Sequence, residues 1–279
     1  MSNEVVRKIE EQKTQEKFVE LFSSVHKVSK GEANSLYKFE KFHFLNSMEE
    51  KGLMEKVTDL SAMGVFLDVV ANGLSFSPQA KHVYVMSRSV KASSGSYEDR
   101  LYFQTQPDGK IFQAQKSGSI DYVTNPVIVY EGDEFAPCTN ELGNQIIIIH
   151  KPSVPRKSQK IIAGYVYVVF KGGFREPTWM VKEDIDRLKG FSEKQNGRWD
   201  NTTKKRVPGN ANALYTSGTD GQIDQGFFGA KLINAALKNV RKTAVPSLFE
   251  VEGEIEVEDT ALPINTPSET PSLTTEYTF

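Results

Sequence analysis

The sequence predicts an α+β protein, with a central antiparallel-rich sheet of about five strands flanked by N-terminal and C-terminal helices and followed by a disordered acidic tail. Three observations carry that prediction. Apolar residues recur at helical spacing near both ends of the chain, whereas β-branched and aromatic runs follow one another in the middle with no helix between them. Residues 250–279 hold eight acidic side chains, three prolines and no basic residue, a composition that cannot form a core.

The elements follow in order. Val5, Ile9, Phe18, Leu21, Phe22 and Val25 give residues 4–28 an amphipathic helical pattern. Leu53, Val57, Leu60, Met63, Leu67 and Val70 predict a second helix over 45–71, closed by Asn72-Gly73 because glycine suits the position past a helix end. Strands are predicted at 82–86, 101–105, 126–130, 146–149 and 161–170, the last long and β-branched as central strands are. Pro107-Asp-Gly-Lys110 reads as a turn. Helical spacing returns over 182–194. Residues 195–223, rich in Gly, Asn and Thr, read as a long mobile loop, and 224–242 as a strong helix. The chain thus divides into an N-terminal helical segment (1–45, a candidate subunit contact), a core (46–249) and a tail (250–279).

Charge is sorted along this frame. The net charge of −2 hides a segment, 151–249, with 18 basic and 8 acidic residues ahead of the wholly acidic tail. A clustered positive segment attracts polyanions, and a tethered acidic tail can compete for the same surface. The single cysteine, Cys138, excludes an intrachain disulfide, no run reaches the length of a membrane span, and the N-terminus lacks a signal-peptide pattern. The expectation is a soluble cytoplasmic protein with nucleic acid as its first partner to test.

Candidate contacts follow from the same charges. Lys231, Lys238, Arg241 and Lys242 fall on one face of the 224–242 helix, opposite Leu232, Ile233, Ala236 and Val240. Arg198 and Trp199 precede Lys204-Lys205-Arg206, joining cations to an aromatic ring as single-strand binding sites do. Trp179, Tyr165 and Tyr167 are further aromatic candidates that could equally pack a core. In Glu131-Gly-Asp-Glu134 the carboxylates suit Mg²⁺ or, more simply, a solvated turn; a metal nuclease using Asp133 and Glu134 is the enzymatic alternative. Gly226-Phe-Phe-Gly-Ala-Lys231 lacks the spacing of a phosphate-binding nucleotide loop, which argues against ATP use. The four histidines (His26, His43, His82, His150) are isolated in sequence and read as structural. No cofactor and no catalytic constellation is indicated.

In order along the chain, four blocks resemble the RecT family of phage single-strand annealing proteins. They are Gly73–Pro78 with His82–Val85; Phe103-Gln104, Lys116-Ser-Gly118 and Val127–Phe135; Gly164–Phe174 with Trp179–Ile185; and the basic stretch Phe227–Lys242. The family's lysine element after Phe-Gln has only Lys110 to match it. The resemblance implies ATP-independent binding of single-stranded DNA and pairing of complementary strands on a basic groove that holds the annealed duplex. It also implies a homo-oligomer (ring or helical filament) and a partner exonuclease, with a host single-strand-binding protein as a further partner, and no membrane. Base pairing then supplies sequence specificity, so phosphate contacts suffice. The implied contacts are Lys231, Lys238, Arg241 and Lys242, then Lys110, Lys116, Lys81 and Arg88 from the sheet region. The other reading from the same features is passive protection of single strands.

Overall fold

A computed structural model describes residues 4–240; the expected disordered tail lies outside the described residues. The fold is α+β, with seven α-helices among the described residues and strands that pair antiparallel throughout.

The first half is built on helices. The expected helix over 4–28 is α1 (Glu4–Glu10) and α2 (Gln12–His26), interrupted at Glu11. It is followed by α3 (Lys30–Glu50), whose start sequence reading missed although its signal is present: the Ser29 hydroxyl accepts from Glu32 N–H while the Glu32 carboxylate accepts from Ser29 N–H. The single helix expected over 45–71 is divided. Gly52 takes φ +58° after α3, and Thr58 caps α4 (Asp59–Ala71) by accepting from Ser61 N–H. Asn72 and Gly73 (φ +73°) end α4 as expected. Phe18, Phe44, Met48 and Phe66 meet in one core, into which β1 (Val83–Lys91) and β2 (Tyr97–Thr105) insert Val85 and Leu101. Buried Glu40 of α3 fixes the chain entering β1, accepting from Ser75 Oγ (2.6 Å) and Phe76 N–H (2.7 Å).

Residues 107–110 are not a turn. They open a helix, α5 (Pro107–Lys116), with Pro107 in its first turn where the missing N–H has no intrahelical partner to lose. Gly109 permits this packing, because its Cα lies against the His82 carbonyl and the Thr105 methyl with no room for a Cβ.

The second half is organised by β7 (Ile161–Phe170). It pairs along one edge with β8 (Arg175–Val181) and along the other with β4 (Val127–Tyr130) and then β3 (Ile120–Val123). β5 (Glu134–Thr139) and β6 (Gln145–Lys151) form a hairpin. The strands are thus spread over four sheets, the one around β7 being the largest. α6 (Lys182–Gln195) follows β8 as expected, and α7 (Gln225–Ala236) lies on β7. Gly164 sets their separation: a Cβ there would meet the Phe228 ring at 2.6 Å.

Residues 195–223, expected as a mobile loop, carry structure of their own. β9 (Arg198–Asp200) and β10 (Lys205–Val207) form a short hairpin, and two 3₁₀ turns follow. Polar composition concealed the anchors: Tyr215 and Ile223 are buried with Phe228 and Leu232 in the second core.

Candidate nucleic-acid interface

Two helices bring sequence-predicted cations together. α5 carries Lys110 in its first half and Lys116 in its last turn. α7 begins at an Asp224 cap, whose carboxylate accepts from Phe227 N–H at 2.8 Å, and presents Lys231 two turns in. The Lys231 ammonium sits 4.8 Å from the centre of the Phe227 ring, and that of Lys116 5.8 Å from the Phe112 ring. Burial lowers the Lys231 pKa, and the nearby Lys110 charge lowers it further; burial also lowers that of Lys116. Among the described residues none of these three makes an ion pair with a carboxylate. Holding like charges on apolar footing without counter-ions costs free energy that an anion would relieve.

Two further predicted contacts lie just before β1 and on it. Lys81 is exposed in a left-handed conformation (φ +51°) just before β1. Arg88 is exposed on β1, its guanidinium 5.7 Å from the Tyr102 ring.

The β9–β10 hairpin carries the rest. Trp199 is 60% exposed and lies directly across from Arg206; Arg198 faces Val207, and Lys205 faces Asp200. The Asp200 carboxylate ties the turn by accepting from Thr202 N–H and the Thr203 hydroxyl. Arg206 donates to the Gln195 and Gly197 carbonyls, and Lys204 occupies the turn at φ +52°.

The expected row of four cations along one helix face is corrected. α7 stops at Ala236, with Leu237 turning out of helical geometry and buried beside Ala114, Ile120 and Val168. Lys238 is therefore exposed beyond the helix end, while Arg241 and Lys242 lie outside the described residues.

The acidic turn after β4 is engaged internally. Glu131 pairs with Lys160 (2.8 Å), and Glu134 with Lys151 (3.2 Å). Asp133 points inward and accepts from Tyr130 N–H and Ser153 N–H, with His150 Nε2 at 3.5 Å. Burial alone would raise its pKa, but these donors outweigh burial and lower it. No group of three or more potential metal ligands occurs among the described residues. Tyr165 and Tyr167 pack edge to face, and Tyr165 stacks on Phe135 and meets His150, so these aromatics serve the sheet. Sequence reading also missed a grouping: Lys116 and His82, far along the chain from His26, both act electrostatically on His26, a proximity that only tertiary packing reveals.

Cations without ion pairs among the described residues, two of them beside aromatic rings, and an exposed tryptophan on a basic hairpin are the charge and aromatic features of this region. The RecT family model matches residues 42–205, more than half of the chain. The chain belongs to the RecT family and is a single-strand annealing protein of recombination. No curated protein matches it. No helix among the described residues is long and apolar enough to cross a membrane.

Proposed function

We propose that the protein binds single-stranded DNA and anneals complementary strands without ATP and without catalysis, using the cations of α5 and α7 for phosphates and the β9–β10 hairpin as an accessory contact. The observation that carries this reading is the set Lys110, Lys116 and Lys231, without ion pairs among the described residues and with burial lowering the pKa of Lys116 and Lys231, within a RecT-family chain. Lysines already held against Phe112 and Phe227 lose little side-chain freedom when a phosphate arrives. Trp199 offers a stacking face that any base can use. A strand laid along such cations keeps its pairing edges free, so a complement is read by the bases and not by the protein.

The protein works as a homo-oligomer, ring or filament, in which many weak contacts in a row add avidity. Exposed Phe39 and Phe42 on α3 supply apolar surface for a neighbouring copy to cover. A partner exonuclease supplies the single strand, and a host single-strand-binding protein is a further partner, in the cytoplasm of the host cell.

The test is the rate of annealing of two complementary labelled oligonucleotides, without nucleotide, across a salt series. Acceleration that declines steeply with salt is expected. Binding without acceleration would replace this reading with strand protection, and no binding at low salt would discard it.

A further inference from the structure

His26 ends α2, His82 stands just before β1 and Lys116 lies in the last turn of α5. Phe22 supports His26 face to face, with ring centres 4.1 Å apart and planes 14° from parallel. Phe112 supports both others, its ring 4.7 Å from that of His82 and 5.8 Å from Lys116 Nζ. Backbone packing closes the group: Gln106 N–H donates to the His82 carbonyl (2.8 Å), and a methyl at Gly73 would lie 2.9 Å from Lys116 Nζ and 3.3 Å from Val25, the neighbour of His26. Gly73 thus leaves the ammonium a place between α2 and α5.

This cluster is unfinished. His26 Nε2 and His82 Nδ1 are both shut from solvent with no hydrogen-bond partner, and Lys116 has no ion pair among the described residues. Buried polar atoms are nearly always satisfied, and two orphans beside an unpaired ammonium are an exception that calls for a ligand. The charges acting on His26 are Lys116 and His82, both basic; the carboxylate acting on His82 is Asp108. On the helices packed against α2, buried Glu40 is committed to Ser75 and Phe76, and Asp68 is buried in α4. Among the described residues no carboxylate makes an ion pair with His26, His82 or Lys116; a tetrahedral oxyanion, with acceptors on several sides, fits the chemistry of the group.

We propose that His26, His82 and Lys116 form a phosphate subsite that takes a phosphodiester of the bound strand, the imidazoles protonating as it docks. This rests on the single-strand-binding reading above. Burial first, then Lys116 and His82, lowers the His26 pKa to about 4, and burial lowers that of His82, so both rings are neutral at pH 7 in the free protein. A phosphodiester between them raises both, so strand binding takes up protons and tightens as pH falls. The ordinary lysine and arginine pKa values lie far above this range, and the double histidine variant separates the effect from that of other titrating groups.

The experiment is the affinity for a fluorescent oligothymidylate from pH 8 to 5.5 at constant ionic strength. Wild-type protein is expected to bind on the order of tenfold more tightly at the acid end, as uptake of about one proton over a pH unit requires. His26→Gln/His82→Gln should bind with a flat profile. Lys116→Met, an independent variant, should bind more weakly, with its profile midpoint moved to higher pH because a repulsive charge on His26 is gone. A flat wild-type profile, an equal slope in the double variant, or an unmoved midpoint in Lys116→Met would overturn the subsite while leaving strand binding intact. No wild-type binding at any pH would overturn the underlying reading and the subsite together. Inorganic phosphate at matched ionic strength should leave the oligonucleotide's pH slope in place; if it abolishes the slope, the site is one for free phosphate and the phosphodiester assignment falls.

Discussion

The α5–α7 surface and the β9–β10 hairpin carry the same kinds of charge on opposite footings. Lys110, Lys116 and Lys231 project from helices docked on the cores, and burial shifts two of them. Arg198, Lys204 and Lys205 stand exposed on a hairpin with three-residue strands. The difference teaches how a phosphate contact gains strength. A lysine held against a ring is already ordered and poorly hydrated, so an arriving phosphate meets a stronger field at a smaller entropic cost. An exposed lysine must be ordered and dehydrated on binding, and it contributes as surface charges do, modestly and in a salt-dependent way.

The sharpest way to break this comparison acts through the scaffold. Phe228 and Leu232 of α7 pack onto Gly164, where a Cβ would lie 2.6 Å and 3.0 Å from them. Gly164→Val forces α7 away from β7 and is expected to cost at least ~1–3 kcal/mol of stability, as overpacking does. Thermal unfolding checks this cost. Strand affinity should fall with it if α7 positions the contacts, whereas a variant as stable and as tightly binding as the parent would show that α7 need not sit where it does.

A smaller effect separates the two regions directly. Lys110→Ala/Lys231→Ala is expected to weaken single-strand binding on the order of 100-fold, from ~1.5 kcal/mol for each charge-assisted contact. Lys204→Ala/Lys205→Ala should weaken it only a few-fold, from roughly 0.5 kcal/mol each. Both pairs should reduce the salt slope of log K by about 1.4, because each removes two phosphate neutralisations. Equal losses of affinity from the two pairs would show that the footing does not matter.

How far the sequence disclosed these regions depends on the range of the interactions that make them. The first strands, α6 and the glycine stop after α4 were legible because their signals are local: alternation, helical spacing, and Gly73 at a helix end. The start of α3 is signalled equally locally, by the Ser29–Glu32 capping box. Pro107–Lys110 misled because proline, aspartate and glycine serve a turn and a helix start alike; only the contact of Gly109 with His82 decides between them. The cations of α5 and α7 could be named one by one from charge. That Lys110 acts on Lys231, or that His26 meets His82 and Lys116, depends on tertiary packing that no spacing records. The end of α7 was lost for the same reason, since burial of Leu237 under Ile120 and Val168 overrides a helical pattern that continues in sequence.

The smallest expected effect concerns the free protein and again separates docked groups from exposed ones. The hairpin holds no histidine, whereas His26 and His82 lie in the docked region. The folded-state pKa of His26 is about 4 against an ordinary 6.5, with burial the largest cause. The unfolded chain therefore binds more protons than the folded one between those values. The contribution of the neutral ring to stability is fully present above pH 6.5 and is lost as pH falls toward 4. Because the ring is only half-buried, solvent screening holds the loss to about 1–2 kcal/mol. His26→Gln, which cannot titrate, should flatten the decline of the unfolding midpoint between pH 6.5 and 4.5, and a saturating oligonucleotide should do the same in the parent by stabilising the protonated ring. A decline equally steep in both would mean that other groups govern acid stability and that the docked histidine is solvated enough to titrate as it does in the unfolded chain.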